Sequence, residues 1–448
     1  MRLGLLFTFL LLLSAQIGVS QESSSSSANP AAVTPAIQPT QPDAEAISQE
    51  ITKAEAAIVK SDWKTAEPIL DSWLAQHPAD ARALFDSGYV ADAQGRNDDA
   101  IGLYRKALGA NPRSFEAEVS LGLLLARQGK ATEARPVLET ATSLEPGPAG
   151  TEAKARAWRA MAQIDVVGAE GKPDPTQASI DLLEALKLSP ESKDDTLLAA
   201  RLAEMTGDTA AAEAGFRKVL KTDPGSTVAS AGLAHLLIAQ KKYPEAEELL
   251  QAAAKKSPDD PAITAQLAAV LVAEDKADVL PLLQQFHQKH PQDKAIAKML
   301  AQVLADAGEY ADSDQLYLAL LTTNPKDADL LVGHGQNLIR QKRYPEAVKS
   351  FTGATEADSS NGEAWNGLAF AALQTHQPEI TLHALTERSK FMPESATIYF
   401  LWATAYDTLH DKKQAAAYYH HFLEASTGKF PDQEWQARQR LKLLEQAP

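Results

Sequence analysis

Cysteine is missing from all 448 residues. Disulfides, thiolate metal sites and a lipid-modified amino-terminal cysteine are thereby excluded, so stability has to come from packing. Aromatic residues are scarce, at 6%. Sheet proteins favour aromatic and β-branched side chains, whereas the abundant alanine and leucine suit closely stacked helices. Positive charge is short as well: 43 Lys and Arg face 59 Asp and Glu, a net charge of −16. Such a chain repels polyanions. Nucleic acid is not an expected partner, because binding it depends on Lys and Arg releasing counterions from phosphates.

One apolar run stands at the start, where a single arginine precedes Leu3 to Leu13 and small residues follow at Gly18 and Ser20. These are the three parts of a secretory signal, and they predict a signal peptide over 1–20, cleaved before Gln21. The run is short for a bilayer span of about 20 residues. The mature chain is therefore expected to have no transmembrane segment and to be exported, periplasmic or secreted, with an uncleaved N-terminal tether as the alternative. Residues 21–46 are rich in Ser, Pro, Ala and Gln and carry no helical or strand period, so they read as a disordered linker.

From residue 47 one period takes over. Pro78, Pro112 and Pro146 are 34 residues apart; Pro190, Pro224, Pro258, Pro291 and Pro325 follow at spacings of 34, 34, 33 and 34 among themselves. Each ends a helix, since proline lacks the N–H and its ring clashes with the preceding turn. Alanines keep the same beat at Ala66, Ala100, Ala134, Ala178, Ala212, Ala246, Ala347 and Ala415. A third ladder of small residues includes Ala54, Gly88, Gly122, Ala162, Ala200, Gly335, Ala369 and Ala403, one per unit, where a neighbouring helix presses close. Larger residues such as Tyr104, Leu138, Phe216, Leu250, Tyr317, Phe351 and Tyr419 are expected to insert between units.

These ladders resemble those of tetratricopeptide repeat (TPR) proteins, with about eleven repeats over 47–429. The resemblance implies an all-α, right-handed α-solenoid of antiparallel helix pairs, stabilised mainly by contacts between neighbouring repeats. The spacing is irregular in two places. Between Pro146 and Pro190 it is 44 residues, which marks an insertion over 147–175. Repeat seven, 261–293, is one residue short and has Val279 and Leu280 where alanine is expected, predicting a local kink. Residues 430–448 read as a capping helix with Trp435, Leu441 and Leu444 toward the last repeat and Gln436, Arg440 and Glu445 outward. All six tryptophans fall at core or cap positions of this frame.

Chemistry is hard to find in the chain. His287 and His290 are three apart without a third ligand at a metal-binding offset, and His420 and His421 diverge by about 100° on a helix. Gly333-His334-Gly335 lacks the later glycine of a phosphate loop. No nucleophile with a partner base is evident, so the chain is expected not to be an enzyme, with no cofactor and no metal.

Binding is the remaining expectation. In TPR arrays the first helices line a concave groove for extended peptides or partner helices. By that resemblance the groove here contains Arg82, Phe85, Tyr89, Leu123, Arg127, Arg159, Gln163, Arg201, His235, Gln302, Gln336, Arg340, Asn366 and Phe370, with Ala231, Ala265 and Ala269 between. Arg, Gln and Asn suit an extended backbone and its acidic side chains, and the aromatics supply buried area. The two-carboxylate clamp of chaperone-binding TPR domains is not matched, since the corresponding residues are Arg82, Asp86, Glu116 and Ser120. The expected function is a protein-interaction scaffold of the cell envelope; the alternative is a scaffold for envelope polysaccharide export or assembly.

Overall fold

A computed structural model describes residues 49–147, 150–168 and 171–445. The signal peptide, the linker and parts of the 147–175 insertion lie outside the described residues. Among the described residues the chain forms 23 α-helices and no strand. It is an all-α helical repeat solenoid, and it divides into two compact units between Leu249 and Leu250.

In the first unit the helices pair as α1 (Gln49–Val59) with α2 (Trp63–Gln76), α3 (Ala81–Ala93) with α4 (Asn97–Ala110), and α5 (Phe115–Arg127) with α6 (Ala131–Ser143). Then come α7 (Thr151–Val167) with α8 (Pro175–Leu188), α9 (Lys193–Met205) with α10 (Thr209–Thr222), and α11 (Thr227–Ala239). Helix α12 (Tyr243–Lys256) contains the division. The second unit continues with α13 (Pro261–Ala273) and α14 (Val279–Lys289), α15 (Lys294–Ala307) and α16 (Tyr310–Thr323), and α17 (Ala328–Arg340) and α18 (Tyr344–Ala357). It ends with α19 (Gly362–Gln374) and α20 (Pro378–Arg388), α21 (Ala396–Thr408) and α22 (Lys412–Ser426), and a final α23 (Pro431–Glu445).

The helix ends follow from local chemistry. Side chains of Asp80, Ser114, Asp208, Ser226, Asp260, Asp293, Asp327 and Asn361 accept backbone N–H bonds at N-caps. The periodic prolines stand two residues past α2, α4, α8, α10, α12, α14 and α16. The alanine ladder and the small-residue ladder are buried as the spacing requires, whereas none of the periodic prolines is. Besides repeat seven, Ser313 and Thr381 occupy the alanine register where alanine is absent, and both are fully buried.

Glycines in the small-residue ladder show how tight the fit is. A Cβ at Gly88 would stand 2.8 Å from the ring of Tyr104, and one at Gly122 2.5 Å from Leu138. Phe351 on α18 is held from both sides: a Cβ at Gly335 on α17 would come within 2.8 Å of its ring, and one at Gly367 on α19 within 2.2 Å. A second-helix ring is thus clamped between its own first helix and the next one.

The irregular regions are resolved differently from expectation. The insertion is accommodated partly by lengthening α7 to 17 residues, against 13 in α3, α5, α9 and α11. Its turn is tied back where the Asp174 N–H donates to the Asp165 carbonyl at 2.8 Å. Arg135 of α6 reaches Asp165 at 3.0 Å and the buried Asp181 at 3.3 Å, joining the previous repeat to both helices around the turn. In repeat seven the second helix is 11 residues long, with Pro281 in its first turn. In α23, Leu441 and Leu444 pack on α22 as expected, but Trp435 is 67% exposed. Arg440 does not point away either: its guanidinium grips Asp407 of α21 with bonds of 2.6 and 2.7 Å, and Glu445 meets His420 at 2.8 Å.

Candidate partner-binding face

Within each unit, first helices of successive repeats touch one another: α1 with α3, α3 with α5, α5 with α7 and α7 with α9, then α13 with α15, α15 with α17, α17 with α19 and α19 with α21. Successive second helices do not pack on each other in this way. The first helices α1 to α9, and again α13 to α21, therefore share a continuous face, and these helices together with α11 carry the sequence-derived groove residues.

Most of its charged groups are already engaged by neighbouring repeats. Arg82 on α3 pairs with the buried Glu55 on α1, and Arg127 on α5 with Asp92 on α3. Arg159 on α7 makes a two-pronged contact with Asp195 on α9, at 2.8 and 2.9 Å, and also donates to the Pro190 carbonyl at 3.2 Å. Asp195 is buried, which raises its pKa, but hydrogen bonds from Arg159 and Ser192 outweigh burial and hold the carboxyl below its ordinary value. His235 on α11 meets Glu204 on α9, and Arg340 on α17 meets Asp306 on α15 at 2.7 Å. These separations of 27 to 36 residues make the pairs staples between repeats. The sequence reading assigned these arginines to a ligand's acidic groups; the structure shows them meeting acids of the chain itself.

The aromatics are likewise partly committed. Phe85 packs against Tyr104 at 5.8 Å, Tyr89 against Trp63 at 6.3 Å, and Phe370 against Tyr344 at 6.3 Å between ring centres. Burial pushes the Tyr89 phenol up from its ordinary pKa. Leu123 is half-buried against the core between α5 and its neighbours. Ala231, Ala265 and Ala269 are buried rather than lining. Gln302 accepts from the Tyr317 hydroxyl at 3.4 Å and donates to Asp306 at 3.3 Å. Gln163 is exposed, and Arg201, Gln336 and Asn366 are half-exposed; these four make no hydrogen bond or ion pair within the described residues. They are the open polar groups of the face.

Two features escaped sequence reasoning. Asp86, one turn after Arg82, is buried near Glu55, and its Oδ2 has no hydrogen-bond partner. Burial first, then the nearby Glu55, pushes its pKa up to about 7, while Arg82 opposes them. The other feature overturns the expectation that no nucleophile has a partner base. Ser350 Oγ lies 3.1 Å from His334 Nδ1, and His334 Nε2 lies 3.2 Å from Asp314 Oδ1. Burial holds the imidazole below its ordinary pKa, against the pull of Asp314. Yet Ser350 is buried inside α18, where the surrounding backbone N–H groups are used by the helix and cannot form an oxyanion hole. The trio joins α16, α17 and α18 as a polar core contact. No signal short of the three-dimensional frame links residues 314, 334 and 350. His290 meets Asp259 at 3.1 Å, and no group of three metal-ligating side chains occurs among the described residues.

Paired helices on a 34-residue beat, with a shared first-helix face, define a helical-repeat protein of the interaction-scaffold type. Models of the tetratricopeptide repeat match residues 51–115, 88–151, 332–378 and, in a second variant, 205–271. The chain is a tetratricopeptide repeat protein. It is similar to the cellulose synthase operon protein C of Pseudomonas fluorescens (strain SBW25), 28% identical over 254 residues covering 47% of this chain and 20% of the relative. It is also similar to cellulose synthase 1 operon protein C of Komagataeibacter xylinus, 26% identical over 301 residues, 60% of this chain and 22% of the relative. The matched region is thus about a fifth of these relatives' length. Among solved structures, a tetratricopeptide repeat protein from Parabacteroides merdae ATCC 43184 matches with TM-score 0.43 at 14% identity, covering 56% of this chain and 98% of that one. Yeast Tom70 matches with TM-score 0.42 at 15% identity, covering 81% and 96%. No helix among the described residues is long and apolar enough to cross a membrane.

Proposed function

We propose that the chain is a non-catalytic scaffold of the cell envelope whose first-helix faces bind extended peptide segments or partner helices. The observation that carries this reading is the division of labour on the face. Its charges are closed into staples that hold the repeats in register, while Gln163, Arg201, Gln336 and Asn366 stay open to hydrogen-bond a partner's backbone. The apolar Leu3–Leu13 run supports export to the envelope. A second reading is favoured by the relatives' names: a scaffold in cellulose-type polysaccharide export or assembly.

Both readings are tested with the full chain, in Gln163→Ala/Arg201→Ala and Gln336→Ala/Asn366→Ala forms, against envelope extract and against cello-oligosaccharides. Loss of captured polypeptides in the variants supports the first reading. Glucan binding without polypeptide capture supports the second. Polypeptide capture that is unaffected by all four substitutions overturns the assignment of this face.

A further inference from the structure

We infer that α23 presents a docking site for an acidic amphipathic helix of a partner polypeptide, centred on Trp435. The basis is the equivalence of α23 to the first helices before it. Trp365 on α19 and Tyr399 on α21 each follow a buried residue, Ala364 or Ile398, and precede another by six, Ala371 or Ala405. Trp435 repeats this pattern with Glu434 and Leu441, the residues of α23 buried toward α22. In the earlier repeats the aromatic is met by its own second helix. Trp365 is 9% exposed and stands edge-on to His383 of α20 at 5.5 Å; Tyr399 meets His421 of α22 at 5.4 Å. Trp435 has no such helix over it among the described residues.

The rest of the face says what fits. Three, four and seven residues past the aromatic, α19 carries Leu368, Ala369 and Ala372, all buried. In α23 the same places hold Arg438, Gln439 and Lys442, with Arg438 64% exposed although it touches Glu434 at 3.4 Å. An occupant in the second-helix position would set an apolar stripe on Trp435 and acidic side chains on Arg438 and Lys442. Parallel two-fold pairing of two copies through this face would bring Arg438 and Lys442 of each against like charges, which disfavours that arrangement of a second copy.

The test uses the full chain and two side-chain-stapled amphipathic peptide helices, alanine and leucine on one face, flanked by glutamate in one peptide and lysine in the other. Fluorescence anisotropy of labelled peptide is expected to show the glutamate peptide binding at least about tenfold more tightly than the lysine peptide. Trp435→Ala should weaken it about tenfold or more. Arg438→Glu/Lys442→Glu should reverse the preference, and because both side chains are exposed this variant decides the matter even if Trp435→Ala frays α23. Equal binding of the two peptides, binding of neither, or a wild-type dimer that Trp435→Ala dissociates would overturn the inference; the last would make a second copy the occupant.

Discussion

Asp86 and Gly367 show how much a single side chain decides in a stack of small residues. Asp86 has a folded pKa of about 7, raised well above the unfolded carboxyl value of about 4. A raised acid contributes its full stability below the unfolded pKa and loses it as pH rises through the folded one. Hydrogen exchange in α1 and α3 should therefore speed up between pH 5 and 8, beyond the intrinsic pH effect, and Asp86→Asn should flatten that change. Asp181, pushed up to about 6 by burial, acts with the same sign around Arg135. Gly367→Ala places a Cβ against the ring of Phe351 and should cost about 1 to 3 kcal/mol in denaturant unfolding. Pairing it with Phe351→Leu should recover part of that loss.

Among elements, α7 and α9 are joined by the two-pronged contact of Arg159 with Asp195. Removing one member of a buried charge pair costs about 3 to 5 kcal/mol, so Arg159→Ala should lower the unfolding midpoint sharply. Arg159→Lys should rescue little, because an ammonium cannot reproduce the fork that meets Asp195 and the Pro190 carbonyl. Ending the chain before Pro431 removes Ala437 and Leu441 from Tyr419 and Phe422. Loss of protection in α22 and concentration-dependent association should follow. The sequence revealed helix ends and the three ladders because these depend on neighbours within a turn or on a strict period. It did not reveal the staples, since a guanidinium reaches an acid 27 to 36 positions away only after two helices have folded. Trp435 was misplaced for a related reason: its register matches that of Trp365, but the packing of Trp365 depends on a second helix beside it.

At the scale of the molecule, stability in a repeat array is close to a sum of repeat and nearest-neighbour terms. Gly367→Ala should therefore raise exchange in α17 to α21 while leaving α1 to α4 unchanged, a contrast that hydrogen-exchange mass spectrometry reads directly. A uniform rise along the chain would instead indicate one cooperative transition. The charge staples were the least legible part of the candidate face and alter its meaning most, because they turn expected ligand contacts into register marks. The two-sided hold on Phe351 has a further consequence for inheritance. Such a ring needs a small residue on its own first helix and another on the first helix of the next repeat, as Gly335 and Gly367 supply for Phe351. Duplication or loss of a whole 34-residue unit hands every ring an equivalent pair of neighbours, whereas a gain or loss of half a unit leaves one ring without its second partner. Arrays of this kind can change length by whole steps and keep their ring contacts, while staples such as Arg82 with Glu55 belong to particular repeats.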